Sequence, residues 1–382
     1  MSQLLYQQGQ LITMDKTIKI KKRNNLDSKK IMSNGSKSFF AASRLFPKRL
    51  REPATVIYSY CRLADDLVDF GGGQKAIVDL KERLSLIYSG HPSNLGVDKE
   101  FSKVVLKYKI PKKLPEALIE GFEWDINGKE YNTIEELNDY AARVAGSVGG
   151  MIAVLMGVKD PKILRSACLL GLAMQLTNIA RDVGEDAKNN RLYLPKNWLI
   201  KKGIDPESWK KNPTNSREMA DVVKKLLKVA ENFYKFSSVA IYSLPRDCRA
   251  SIFSARYIYS EIGNKIKSNF YNSIDQRAIV PFSKKITLII KSYHSLIIPR
   301  NLLTSNFKNK FDSYQSIEFL IQSINSIQTT SKCSTKSLSF FQRLNWVIEL
   351  LQKLEERNKS QLINPRSNEE TIINKQYNQP KI

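Results

Sequence analysis

Residues 168–186 read CLLGLAMQLTNIARDVGED, and the polar pattern inside this apolar segment decides the fold. Gln175, Asn178, Asp182 and Asp186 recur on it at offsets of three, seven and eleven residues. With about 3.6 residues per helical turn, those offsets return to a single face. Asp160 followed by Pro161 supplies a cap and a first-turn signal, so the helix starts well before the stripe. Carboxylates on the inner face of a buried helix are costly unless a cation or partner neutralises them. Two carboxylates at i and i+4, with an amide one turn earlier, make an oxygen-rich surface suited to Mg2+ or Mn2+. Taken alone, the segment also fits a plainer reading, a helix end leaving the core to meet water.

A second stretch shifts that balance. Residues 58–69, YSYCRLADDLVD, carry Tyr58, Arg62, Asp65 and Asp69 at spacings of four, three and four, again one helical face. Asp66 flanks this face, and Glu185 flanks the other. Two D-x-x-x-D helices, each with an arginine nearby, suggest a cavity that holds metal ions between opposed carboxylates. A diphosphate fits such a cavity, because metals bridging its oxygens offset both sets of charge.

The bulk composition bounds the classes. A chain of 382 residues that is 42% hydrophobic is long enough for one sizeable core and a small second region. No uninterrupted apolar run reaches the ~18–20 residues of a membrane-spanning helix. KIKKR at 19–23 is basic but no apolar run follows it, so no secretory signal is expected. Cys61, Cys168, Cys248 and Cys333 lie far apart and form no C-x-x-C pair, consistent with a reducing cytoplasm. His91 and His294 are the only histidines, which excludes a histidine-ligated zinc site. The net charge of +24 could serve nucleic acid, anionic lipid or polyanionic substrates. No helix-turn-helix, zinc finger or aromatic-basic RNA motif is present, so no nucleic-acid partner is expected. Peripheral attachment to an acidic membrane, at its inner face, is the better use of the charge.

In chain order, residues 1–34 read as a flexible basic arm. Gly35 to Phe40 form a polar turn whose hydroxyls and lysine suit phosphate, although Ser38 serves equally as a plain cap. Pro53 is expected to start the helix carrying the first acidic cluster, and Gly71–Gly73 to end it abruptly. Helices are expected over 75–88, 98–109 and 114–126. Thr133 and Glu136 form a capping box opening a helix to about Gly157. Inside that helix, small residues permit close helix approach or leave room for a ligand, and Tyr140 is either core or cavity wall. A turn at Pro195, a short helix from Asp205–Pro206 and long helices over 216–243 and 245–268 follow. No alternating apolar–polar run appears between 35 and 295, so the fold class is all-α, a multi-helix bundle around a central cavity. From 296 to 382 the chain turns rich in Ser, Asn, Gln and Ile. It contains one amphipathic stretch, 340–357, that would dock on the body, a partner or a membrane, and then a disordered end.

The passages GSKSFFAASRLFP, YSYCRLADDLVDF, YAARVAGSVGG, AMQLTNIARDVGEDAKNNRLYLP and DQRAIVP together resemble the squalene/phytoene synthase family over roughly residues 35–295. The resemblance implies an isoprenoid-synthase-type helical fold. It implies that Asp65, Asp69, Asp182 and Asp186, with Asn178, hold Mg2+ (or Mn2+) for prenyl diphosphate substrates. Ser36, Lys37 and Ser38 match a phosphate-contacting turn, and Arg62, Arg181 and Arg277 match arginines near the diphosphates. Tyr58, Tyr140, Gln175, Asn178 and Tyr259 match pocket positions. The implied reaction joins two geranylgeranyl diphosphates head to head through a cyclopropyl diphosphate to phytoene. The alternatives are squalene-type chemistry on farnesyl diphosphate and a non-catalytic assembly factor on the same fold. No NADPH is expected, because the glycines at 71–73 follow a helix and no strand–helix–strand unit surrounds them.

Overall fold

The structure, a computed structural model, describes residues 45–293 and 314–326, without the side chains of residues 70 and 71. The first helix among the described residues is α1 (Lys48–Leu67), which passes through a π-type segment (Val68–Gly72) into α2 (Gly73–Tyr88). Next come α3 (Gly96–Tyr108), α4 (Lys113–Ile126) and α5 (Ile134–Ala141). A second π-type segment (Ala142–Gly146) joins α5 to α6 (Ser147–Leu155). Then follow α7 (Pro161–Lys188), the short α8 (Lys196–Ile200) and α9 (Pro206–Lys211), and α10 (Arg217–Ile241). The last elements among the described residues are α11 (Arg246–Ser268), α12 (Phe282–Tyr293) and α13 (Gln315–Asn325). The described residues contain no strand, in agreement with the all-α reading.

The centre of the bundle is α7. It packs on α6, α10, α11 and α13, and its buried residues run from Leu164 to Ala187. Asp160 accepts from the Lys162 N–H at 2.8 Å and Pro161 fills the first turn, as the sequence indicated. By length and composition α7 is apolar enough to cross a membrane, although no uninterrupted apolar run marks it in the sequence. Its apolar window is 67% buried by its neighbours, the pattern of a core helix. The small residues of 142–150 work by close approach. A Cβ on Gly149 would stand 2.4 Å from the Ala167 carbonyl oxygen, and one on Gly171 would stand 2.2 Å from that of Ala145. Glycine at these two positions is therefore what lets α7 touch α6 and the π-type segment before it backbone to backbone.

Three boundaries differ from expectation. Pro53 lies inside α1, which begins after Pro47. A proline there leaves the carbonyl one turn back without its helical donor. That carbonyl, Arg49 O, instead accepts from the Tyr108 hydroxyl at 3.3 Å, so α3 repairs the gap. The glycines at 71–73 do not stop the helix before them. Instead the chain continues in π-type turns and swings at Gly73, whose φ is 51°. The single helix expected over 134–157 is two α-segments joined by π-type turns, although its capping box is present. Thr133 Oγ1 accepts from the Glu136 N–H at 3.3 Å, and Glu136 accepts from the Asn132 N–H at 2.7 Å.

The region after 295 contributes a helix that was not singled out in the sequence. In α13, Ile317, Leu320, Ile321 and Ile324 are buried against the body. Arg165 of α7 holds Glu318 by both carboxylate oxygens, at 3.0 and 3.1 Å. Leu320 comes to rest behind Gly146. The amphipathic stretch 340–357 and the turn of Ser36, Lys37 and Ser38 lie outside the described residues.

Candidate active site

α1 and α7 present their acidic faces to a common cavity of about 310 Å3. Of the residues singled out in the sequence, Tyr58, Arg62, Asp65, Asp69, Tyr140, Gln175, Asn178, Asp182 and Asp186 line it. A direct bridge shows that the two faces oppose each other: Arg191, just beyond α7, donates to Asp69 at 3.1 Å. Arg181 and Arg277 do not line the cavity but clasp one of its carboxylates. Arg181 reaches Asp182 at 2.8 and 2.5 Å, and Arg277 reaches Asp182 at 2.8 Å and Glu185 at 3.2 Å. Tyr259 is the residue the structure sets apart: half-buried, it packs on the core and is absent from the cavity lining.

A glycine explains how Arg277 arrives from 95 residues further along the chain. Gly184, between the two aspartates of α7, donates its N–H to Ser273 O at 3.0 Å. A Cβ there would stand 2.4 Å from Ile274 O, so only glycine lets the loop lie flat on the helix. Both π-type segments also abut the cavity, giving Val68 and Asp69 from one and Val144 from the other. Such turns rotate side chains out of the regular helical register and recur at functional sites.

The electrostatics are uneven. Burial, with Asp69 close by, pushes the Asp65 carboxyl up to about 7 against the pull of Arg62. Burial and neighbouring Asp182 push Asp186 up to about 8. Burial acts on Asp182 too, but the Arg181 and Arg277 guanidiniums outweigh it and hold that carboxyl below its ordinary value. Asn178 Oδ1 is buried and has no hydrogen-bond partner among the described residues.

That orphaned oxygen, on the cavity wall one turn before Asp182, supports a hard divalent cation. Among the described residues no three acidic, histidine or cysteine side chains form a ready metal cage. The donor set matches Mg2+ all the same, since this ion usually takes one or two carboxylates and completes its shell with water and substrate phosphates. Asp65, Asp69, Asn178, Asp182 and Asp186 supply oxygens of that kind from the two walls.

Several wall residues were not recognised in the sequence. Leu118 and Phe122 of α4 and Val144 and Ile179 give the cavity an apolar flank. Asp125, Arg191 and Tyr193 add a polar group beside the carboxylates of α1 and α7. Asp125 carried a readable signal, since it follows Leu118 and Phe122 at offsets of seven and three, a polar residue on an apolar stripe. Arg191 and Tyr193 lay in a stretch read as a turn and as part of the family resemblance, with no role given to either residue.

Comparison with known proteins agrees with this geometry. The squalene/phytoene synthase family matches residues 32–284. The chain belongs to this family. Among its relatives, the phytoene synthase of Cereibacter sphaeroides is 43% identical over 68% of this chain and 76% of its own length. The phytoene synthase of Rhodobacter capsulatus is 42% identical over 69% of this chain and 79% of its own. Among solved structures, a dehydrosqualene synthase in complex with ligand superposes with a TM-score of 0.66 at 29% identity, covering 75% of this chain and 99% of that one. A squalene synthase from Alicyclobacillus acidocaldarius, 19% identical with a TM-score of 0.59, shares the fold. The family consists of prenyltransferases, so this chain is an enzyme of prenyl transfer.

Proposed function

We propose that this family member is a phytoene synthase, joining two molecules of geranylgeranyl diphosphate head to head. The observation that carries the reading is the pair of facing acidic helices, bridged by Arg191, at one end of a cavity with an apolar flank. The likeness to phytoene synthases supports the choice of product. In this reading Asp65, Asp69, Asn178, Asp182 and Asp186 would hold Mg2+ or Mn2+, which would supply positive charge against the departing diphosphate.

The chain's own residues do the rest. Arg62, Arg181, Arg191 and Arg277 surround the carboxylates and add positive charge where the leaving group departs. Leu118, Phe122, Val144 and Ile179 exclude water from the allylic cation until the second prenyl double bond captures it. Tyr58 and Tyr140 offer ring faces and hydroxyl oxygens to cationic carbon, and Gln175 orients substrate from the same wall. The captured cation loses a proton as the cyclopropane closes; the resulting cyclopropyl diphosphate then releases its own diphosphate, rearranges and loses a second proton, with no hydride required.

Peripheral membrane attachment belongs to the same reading, supported by the net charge of +24 and by substrates with long apolar tails. The test is a set of matched incubations with geranylgeranyl or farnesyl diphosphate, with and without NADPH, each with Mg2+ and with product mass determined. Phytoene from the longer substrate without NADPH is expected. A cyclopropyl diphosphate that accumulates from farnesyl diphosphate and becomes squalene only when NADPH is added would replace the reading with squalene synthesis.

A further inference from the structure

Asp125 closes α4 with a hydrogen-bond arrangement that the reaction scheme above leaves unused. Its Oδ2 accepts from the Tyr140 hydroxyl and its Oδ1 from the Tyr193 hydroxyl, each at 2.8 Å. The two rings lie 5.2 Å apart and nearly parallel, and Tyr131 packs against both, 5.3 Å from Tyr140 and 6.2 Å from Tyr193. Three separate parts of the chain thus converge on one carboxylate: the end of α4, α5, and the segment after α7. Asp125, Tyr140 and Tyr193 all line the cavity.

The chemistry of a phenol gives this arrangement a consequence. A tyrosine hydroxyl has one hydrogen to donate and keeps lone pairs to accept with. Once that hydrogen is committed to Asp125, the oxygen can act toward the cavity only as an acceptor. Hydrogen bonding to a carboxylate also raises electron density on the phenol oxygen and ring, the two features that attract a cation. Burial pushes the Asp125 carboxyl up to about 6, while the two tyrosines and Arg191 favour its charged form.

We infer that Asp125 is a positioning residue. It fixes the hydroxyls of Tyr140 and Tyr193 so that both oxygens face the cavity as acceptors, beside the place where cationic carbon develops. The inference rests on the prenyl-condensation reading of the same cavity. It separates Asp125 from the metal-holding set, because both of its oxygens are already engaged by phenol donors.

The decisive variant is Asp125→Asn, which keeps the shape, replaces one acceptor with a donor and removes the charge. Turnover is expected to fall on the order of 10–100-fold, the range typical for a group that orients another, with KM for geranylgeranyl diphosphate changed less than about 3-fold. In a Tyr140→Phe/Tyr193→Phe background the same substitution should add nothing further, because its effect passes through those hydroxyls. A second measurement does not depend on turnover. The tyrosine ultraviolet difference spectrum of Asp125→Asn against the unaltered protein should show perturbed phenols, and this signal should vanish in the double-Phe background. Undiminished turnover in Asp125→Asn would overturn the inference. So would a loss confined to KM or Mg2+ requirement, or one that adds to the tyrosine substitutions. If Asp125→Asn does not fold, Tyr193→Phe, which removes only one donor, serves instead: unchanged turnover there would sink the clamp. An unaltered protein inert toward every prenyl diphosphate would overturn the functional reading itself, an outcome distinct from an active protein with an equally active Asp125→Asn.

Discussion

In α1, one guanidinium serves two carboxylates of its own helix: Arg62 reaches Asp65 at 2.8 Å and the buried Asp66 at 2.7 Å. In α7, one carboxylate receives two guanidiniums, with Asp182 clasped by Arg181 beside it and by Arg277 from a distant loop. The outcome is parallel even though the wiring differs. Each helix contains an acid that its arginines satisfy, and each contains one pushed upward, Asp65 to about 7 and Asp186 to about 8. The raised pair marks where added positive charge stabilises the folded chain most, while Asp66 and Asp182 are already provided for. One cavity therefore holds carboxylates that the chain's own arginines compensate beside others that burial pushes upward.

Breaking the two clusters in turn tests this contrast most severely. Asp65→Asn and Asp182→Asn are each expected to lower turnover by roughly 10²–10³-fold, the loss typical when one group that supports developing charge is removed. Their thermal stabilities without metal should diverge. Asp65→Asn removes a crowded buried charge and should raise the melting temperature, whereas Asp182→Asn leaves two arginines short of a partner and should lower it. Melting temperatures that move together would dissolve the distinction between the clusters.

Gly184→Ala comes next in size. The new methyl would stand 2.4 Å from Ile274 O, which is backbone, so the loop must lift and take Arg277 with it. A stability loss of about 1–3 kcal/mol is expected from denaturant unfolding, with turnover lowered alongside. An unchanged protein would show that the loop is not needed to hold Asp182.

The gentlest test is pH. Asp65, Asp125 and Asp186 all have folded values raised above the ordinary 3.8, to about 7, 6 and 8. Their contribution to stability is therefore fully present below about pH 4 and lost as pH rises through about 6 to 8. Asp182, held low, behaves oppositely: its contribution is present above its ordinary value and falls away only in stronger acid. The metal-free protein should accordingly melt at a lower temperature at pH 8.5 than at pH 5.5. Mg2+ should raise the melting temperature more at the higher pH, where more carboxylates are ionised. A Mg2+ effect equal at both pH values would remove the raised pair from the ion's surroundings.

The helical periodicity of Gln175, Asn178, Asp182 and Asp186 exposed most of the α7 wall, because a face is a local property of spacing. The same logic found the α1 wall, and all four aspartates do meet one cavity. What stayed hidden was set by tertiary contact. Pro53 looked like a helix start because nothing local announces that Tyr108 will take over the carbonyl it strands. The π-type turns at 68–72 and 142–146 are register shifts imposed by packing, and spacing alone cannot announce them. Asp125 was within reach of the stripe argument that found Gln175, but as a single acid at a helix end it resembled a solvated terminus. α13 went unnoticed because its apolar positions sit in a Ser- and Asn-rich region, and only its seat on α6 and α7 makes sense of them.

That seat has a consequence for how the protein is made. Synthesis runs from the N-terminus, so both acidic helices leave the ribosome long before residues 315–325 do. Until α13 arrives, the groove around Gly146 and Gly150, which Leu320 and Ile324 come to cover, has no lid. Between the synthesis of α6 and that of α13 the nascent chain therefore carries an uncovered apolar strip, the kind of surface that chaperones guard. The two acidic helices can find each other early, but the strip is covered only when α13 emerges.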